Sequence, residues 1–535
     1  MKPMRFMKHL AATAALAVVL AGGAIQATSA QDPSVLRMVA NTELQVLDPI
    51  ATPSVITRAF GYMVWDTLVS MDSKGKAQPQ MLESWQVSDD GMTYTFKLRP
   101  GLVWSDGAPI VAEDAVASLK RWGDRDGVGR QLMAATGSIA AVSGDTFELK
   151  LSKPFGHVIE ALGKPASLVP FIMPARIATI PSGEVIKEIV SSGPFVFLPD
   201  EWRPGDRVVF VKNEKYLPRD EPADGFAGGK VAHFDRVEFV SVPDASTRVN
   251  SLLLGDVDYL ERVPPDFIPM IQASDQAKLT TGRGNGEVLG LLTLNHTQPP
   301  FDNVKVRKAV QMAVDQEEVV ASMGYPDEFV RPTCVTIYMC GSPYETEAGG
   351  EFLYKPDLEK AKQLLAESGY NGEKVVVLHS TDSVLINPVS TVAIEQMQRL
   401  GLNLDVRSSD WSTVAQLRTQ KEPVDQGGWS VVPIVWTGFD MMDPLINPGL
   451  GYNCAGTYPG WWCDERQVPV RAAYAAETDP ERRHELADEM QRLAHDNVNI
   501  ILLGQVAGPA GYRADLEGVL DLGMPIAWNM RRVEQ

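Results

Sequence analysis

Few residues in this 535-residue chain that could do covalent chemistry stand where chemistry would need them. The seven histidines (His9, His157, His233, His296, His379, His484 and His495) show no metal-ligand spacing, so no catalytic zinc site is expected. Gly282-Arg283-Gly284-Asn285-Gly286 has the composition of a phosphate-cradling loop. It has neither the GxxxxGK order nor the GxGxxG spacing, and a polar hairpin is expected instead. No GxSxG nucleophile elbow occurs. What remains is VVPIVWTGFDMMDPLINPGL, residues 431–450, where two carboxylates stand among aromatic residues. A carboxylate in a dry cleft is a strong partner for a cationic group, because charge-assisted hydrogen bonds strengthen as water is excluded. Asp443 precedes Pro444, which disfavours helix and leaves the aspartate free to bond the loop backbone. Asp440 is open to a ligand contact, a turn cap or a carboxylate facing water.

Around this segment lie Trp411, Trp429, Trp436, Phe439, Tyr452, Tyr458, Trp461 and Trp462. Flat rings line pockets well, since they bury much area for little lost freedom. About half of them should belong to the core. Trp436, Thr437 and Phe439 are the best-placed binding candidates.

The elements that must position such a site are clearest between Ala77 and Arg121. Tyr94, Phe96 and Leu98 alternate with Thr93, Thr95 and Lys97, the period of a half-buried strand. Asp90-Gly91 and Asp106-Gly107 supply turns, and Glu113-Asp114 opens a helix whose Ala115, Val116 and Leu119 share a face. The order Leu82, Trp85, Asp90-Gly91, Tyr94, Phe96, Leu98-Arg99, Asp106-Gly107, Pro109, Glu113-Asp114 resembles the signature segment of the bacterial extracellular solute-binding proteins, family 5. Glu83 departs from the small residue usual there. Ser192-Gly193-Pro194-Phe195, Asn250–Asp258 and Pro300–Arg307 are also similar to that family, and the resemblance covers essentially the whole mature chain.

The resemblance implies a periplasmic receptor that delivers peptides to an inner-membrane ABC permease and its ATPase subunits, with hinge closure, no catalysis and no cofactor. It implies a mixed α/β, two-domain periplasmic binding protein of the large three-subdomain type, with two interdomain crossings. Domain I is expected over 31–290 and 503–535, with a subdomain at about 61–190, and domain II over 291–502. Asp440 resembles the first aspartate of the family's Trp-x-x-Asp-Tyr-x-Asp-Pro segment, which pairs with a peptide's α-ammonium. Asn41, Thr42, Tyr62 and Trp65 are first-domain candidates by location. Two departures stand out: the 436–444 spacing is one residue longer, and HSTDSVLINP (379–388) lacks the arginine with which dipeptide binders hold a carboxylate. A longer peptide, or a solute such as an oligosaccharide, opine-like conjugate or metal chelate, is the alternative to a dipeptide. A secreted hydrolase is the remote one.

The N-terminus agrees with that compartment. Lys2, Arg5 and Lys8 precede an apolar run to about Ile25, and Thr28-Ser29-Ala30 offers a cleavage site, so residues 1–30 read as a signal peptide. No cysteine follows it, so no lipid anchor is expected and the product should be free in the periplasm. Loss of the three leader cations takes the net charge from −19 to −22, which argues against nucleic acid or anionic lipid as partner. A monomer is expected. The four cysteines allow three pairings. An oxidising compartment favours bridges, and the local pairs Cys334–Cys340 and Cys454–Cys463 are expected. The second resembles a bridge of dipeptide-binding relatives; a metal site is the alternative.

Overall fold

The computed structural model describes residues 32–331, 333–450, 454 and 458–533. The expected leader, Tyr452 and the C-terminal Gln535 lie outside the described residues. The first strand is Val35–Val39, parallel to Arg236–Val240 on one side and to Tyr259–Leu260 on the other. Arg207–Lys212 and Phe195–Phe197 extend the sheet on one flank, Gly511–Arg513 and Ala277–Leu279 on the other, for seven strands in all.

The long connection between Val39 and Phe195 carries the signature segment. Thr93–Leu98 buries Tyr94, Phe96 and Leu98, as its alternation requires. It lies between Leu82–Val87 and Thr146–Leu151 in a four-stranded antiparallel sheet completed by Thr136–Ala141. Gly91 and Gly107 take φ of 69° and 93°, conformations that cost glycine little. Three buried ion pairs fasten this region: Asp48 with Arg121 at 2.7 Å, Asp126 with Lys164 at 2.9 Å, and Asp66 with Lys230 at 2.7 Å.

A second large sheet has six strands, in the order Val330–Arg331, Ile501–Ala507, Glu287–Leu294, Val431–Thr437, Lys374–Ser380, Asn403–Ser409. Glu287–Leu294 is buried along its whole length and antiparallel to both neighbours. Its covering helices start as their sequence dictates. Asn303 caps Val304–Ala313, Asp357 caps Leu358–Glu367, and Asp479 caps Pro480–Asn497, each accepting a backbone N–H at 2.9 Å. Gly401, at φ 106°, ends Ile386–Leu400. Cys334–Cys340 and Cys454–Cys463 are paired.

The strand order shows where the chain passes between the two large sheets: at 280–286, and again at 508–510. The glycine-rich run at 282–286 is therefore no hairpin but the outgoing crossing. The expected boundaries at 290/291 and 502/503 both fall inside strands of the six-stranded sheet. Each of those strands keeps its mainly apolar pattern across the expected boundary, so composition there does not mark the crossing. The two crossings run side by side. Thr280 N–H donates to Ala510 C=O at 2.9 Å, and a Cβ on Gly282 (φ 61°) would meet Pro509 N at 2.7 Å. The Asp521 carboxylate accepts from Thr281 Oγ1 at 2.7 Å and from Gly282 N–H at 2.8 Å.

Buried His495, on Pro480–Asn497, shares a hydrogen bond with Val335 C=O at 2.9 Å through Nε2 and with the Gln311 amide at 3.2 Å through Nδ1. Burial pushes its pKa down to about 4. The unfolded chain then binds a proton that the folded one refuses, so stability falls as pH drops from the ordinary histidine value towards 4, by about 3 kcal/mol. Urea titrations across that window should show the loss, and imidazole NMR should find His495 still neutral at pH 5.5.

Candidate functional site

Asp440 sits where elements of the two large sheets meet. Val431–Thr437 ends at Thr437, and the short helix Gly438–Met441 turns Asp440 away from its own sheet. Thr437 Oγ1 donates to Asp440 Oδ2 at 2.7 Å. Oδ1 is taken by groups from the first part of the chain: Ser167 N–H at 3.1 Å, Ser167 Oγ at 2.7 Å and Arg58 Nη2 at 3.4 Å. Burial works to raise this carboxyl's pKa, but the Arg58 charge and the Ser167 and Thr437 hydrogen bonds outweigh it and hold the pKa below the usual range.

Each partner has a reason to be there. Arg58 lies on Val55–Val64, where it is the single charged side chain and is fully buried. Ser167 belongs to a loop pinned by the buried Lys164, whose ammonium pairs with Asp126 and also donates to Ser167 C=O. Phe439 lies beside Asp440, with its ring 5.5 Å from the Arg58 guanidinium carbon and 5.6 Å, edge-on, from Phe226.

Further along the same seam, Gly156 N–H donates to Ala475 C=O at 2.8 Å. The His157 ring stacks on Tyr474 at 4.6 Å and bonds its carbonyl at 2.8 Å. Arg483 pairs with Glu160 at 2.9 Å. Asp443 Oδ1 accepts Leu445 N–H at 2.7 Å, bonding its own loop. Burial raises the Asp443 carboxyl pKa, against the opposing charge of His157.

The other candidates are distributed unevenly. Trp436 is half-buried, with its ring 6.0 Å from that of Tyr458. Trp429 and Trp462 are core residues, while Trp411 and Trp461 are half-buried. Tyr62 and Trp65 are both 1% exposed. Tyr62 stacks on Phe226 and so supports Phe439 from behind. Trp65 Nε1–H bonds Val190 C=O at 2.9 Å. Asn41 and Thr42 line a different cavity of about 80 Å³ with Trp202, Arg203 and Arg248, at the carboxyl ends of Val35–Val39 and Arg236–Val240. The structure thus brings Thr437, Phe439 and Asp440 together and adds Arg58 and Ser167, which sequence reasoning missed. A lone arginine in the otherwise uncharged VITRAFGYMV was the available signal.

The profile of the bacterial extracellular solute-binding proteins, family 5, matches residues 76–458. The chain belongs to this family. A probable peptide ABC transporter periplasmic-binding protein of Sinorhizobium fredii is 36% identical over 530 residues, 98% of each chain. Among solved structures, a periplasmic binding protein of A. tumefaciens R10 in complex with agropinic acid superposes with a TM-score of 0.76 at 22% identity, over 94% of this chain and 99% of that one. The Helicobacter pylori periplasmic binding protein in complex with the peptide STSA gives 0.76 at 20% identity, over 93% and 98%. The fold is that of type II periplasmic binding proteins, and the family is one of binding proteins found outside the cytoplasm. Among the described residues no helix is long and apolar enough to cross a membrane.

Asp440→Asn leaves the buried Arg58 without a counter-charge. The expected loss is about 3 kcal/mol at neutral pH, the low end for a broken buried pair because the contact is long. Since the folded pKa of Asp440 is depressed, this contribution is complete above the ordinary carboxylate value and disappears as pH falls through the lower folded one. Urea denaturation of wild type and variant at neutral and acid pH checks both points.

Proposed function

We propose that the protein is a periplasmic receptor that captures a peptide between two lobes and presents it to an inner-membrane ABC permease, whose ATPase subunits supply the energy. The observation that carries this reading is the near full-length match to the Sinorhizobium fredii protein. The receptor breaks no bonds, needs no cofactor and acts as a monomer. Residues 1–30 are removed on export, and the mature chain is free in the periplasm.

One lobe comprises the seven-stranded sheet with its 61–190 subdomain, the other the six-stranded sheet. Only 280–286 and 508–510 join them, so the lobes swing about that pair of strands. A solute closes them to the extent that it binds the shut form better than the open one. Asp440 takes the ammonium of the solute, with Trp436, Thr437 and Phe439 beside it. Backbone hydrogen bonds to an extended peptide give tolerance of its side chains.

Native mass spectrometry of protein isolated from its own periplasm should show a bound mass that is released on acid denaturation and fragments as a peptide. A saccharide, a metal chelate or no bound mass would overturn the reading. Closure itself has a separate handle at Gly156. A Cβ there would lie 1.9 Å from Glu477 C=O, a backbone atom that cannot yield without parting the seam. Gly156→Ala should leave both lobes folded but hold them apart. Scattering should report a larger radius of gyration with ligand present, and affinity should drop about tenfold or more.

A further inference from the structure

The cavity lined by Asn41 and Thr42 lies on the edge of the seven-stranded sheet that faces the second lobe. Tyr259–Leu260 is parallel to the end of Val35–Val39 and antiparallel to Gly511–Arg513, with Leu260 opposite Gly511. Gly511 follows the crossing at 508–510, so residues 40–44 leave the sheet where that crossing enters it. Val35–Val39 and Arg236–Val240 are parallel neighbours whose onward connections part. From Val39 the chain returns at the Phe195–Phe197 edge, and from Val240 it crosses by Ala245–Leu254 to Tyr259–Leu260 on the other side. Open α/β sheets bind ligands beyond the carboxyl ends of strands at such a switch point. The cavity floor is apolar: Leu44, Ile56, Val208 and Phe239 are buried, and half-buried Trp202 adds a wall. An apolar cavity of about 150 Å³ holds a benzene ring, so about 80 Å³ suits three or four carbon atoms and no aromatic ring. The rim carries Arg203, Arg207 and Arg248 against Glu43 and Asp206. Arg207 takes Asp206 at 3.0 Å. Arg248 donates through Nε to Val242 C=O and through Nη2 to Pro243 C=O at 3.3 Å, and Arg203 donates to the carbonyls of Asp200 and Trp202. Among the described residues neither Arg203 nor Arg248 forms an ion pair. Burial lowers the Arg248 pKa, against the more distant charges of Glu261 and Asp244. Two guanidiniums are thus set against one exposed carboxylate, Glu43.

We infer that this cavity is the subsite for the C-terminal residue of the peptide. Its aliphatic side chain lies on Leu44, Ile56 and Phe239, and its carboxylate lies between Arg248 and Arg203. The inference rests on the peptide-receptor reading and adds where one end of the peptide is held. An internal residue of the peptide brings no charge and leaves both guanidiniums without a counter-ion. A C-terminal carboxylate brings charge-assisted hydrogen bonds to forks that still have N–H groups to give. A valine or leucine side chain displaces water from the apolar floor, which a glycine cannot do and a tryptophan is too large to do. The segment 379–388 carries no arginine for that carboxylate, and His379 and Asn387 there bond each other at 2.9 Å. The anchor is supplied from the first lobe instead.

Calorimetry on the mature wild-type protein tests this with four tripeptide probes: Ala-Ala-Leu, Ala-Ala-Gly, Ala-Ala-Trp and the C-terminal amide of Ala-Ala-Leu. Ala-Ala-Leu should bind about tenfold more tightly than the glycine and tryptophan peptides. Its amide should bind about tenfold or more weakly than the acid. Thr42→Trp, at an exposed position of the cavity wall, should erase the preference for leucine over glycine. Arg248→Gln should erase the preference for the acid over the amide. Because the peptide series changes only the ligand, it stands even if a variant folds poorly. Isovalerate, an aliphatic acid without a peptide, should not bind at millimolar concentration. Binding of isovalerate as tight as that of Ala-Ala-Leu would assign the cavity to free acids and overturn the inference. Equal affinity for all four tripeptides would overturn it while leaving the peptide receptor intact. Failure of all four at millimolar concentration would also overturn it. The periplasmic mass measurement would then decide separately whether the receptor reading survives.

Discussion

Two short backbone segments, 280–286 and 508–510, carry every covalent connection between the two large sheets. Everything else that holds the sheets together must do so through side chains and backbone polar groups meeting across a seam. The observed set is mixed. It contains isolated backbone hydrogen bonds, such as Gly156 to Ala475, stacked rings, such as His157 on Tyr474, and the long Arg58–Asp440 contact. The crossings use backbone that glycine adopts without strain. Gly282 and Gly284 both adopt positive φ, and Gly282 lies closer to Pro509 than any side chain would allow.

The buried charges divide by how completely they are bonded. Lys230 is wholly buried but has Asp66 at 2.7 Å, and Asp66 in turn accepts from Tyr216 at 2.8 Å and Gln80 at 3.1 Å. Tyr62 and Trp528 put ring faces towards the same ammonium. Asp48 and Arg121 form a comparably complete unit. These pairs lie within the first part of the chain and fix its shape, since removing either partner would strand a charge. Arg58 differs in kind. Its bonds are long and its main partner comes from the other side of the seam.

Much of the fold was legible because local signals agreed with one another. Asn303, Asp357 and Asp479 are capping residue types standing where helices start, and Gly401 is a glycine standing where one ends. The alternation of Tyr94, Phe96 and Leu98 gives the correct buried face. What could not be read was the seam. EVLGLLTL and ILLGQVA are mainly apolar, and such segments do not say to which sheet they belong, so both expected boundaries fell inside strands. Tyr62 and Trp65 were named by position along the chain; both are buried, and Arg58, one turn before Tyr62 on the same helix, is the side chain of that segment that reaches Asp440. Ser167 could not have been found from sequence. Its role comes from a loop conformation set by Asp126, about 40 residues earlier, through Lys164.

That last linkage explains why Asp440 can act as a defined acceptor at all. Asp126 Oδ1 caps Gly127–Ala135, accepting from Val128 and Gly129 at 2.9 and 2.8 Å, while its other oxygen holds Lys164. Lys164 fixes the loop, the loop presents the Ser167 N–H and hydroxyl, and those two donors orient the carboxylate. Thr437 does the same from the opposite side with a single hydroxyl. A carboxylate held on both sides by groups that are themselves held keeps a fixed direction. Its Thr437 bond comes from the six-stranded sheet and its Ser167 bonds from the first part of the chain, so the aspartate is bonded from both sides of the seam at once.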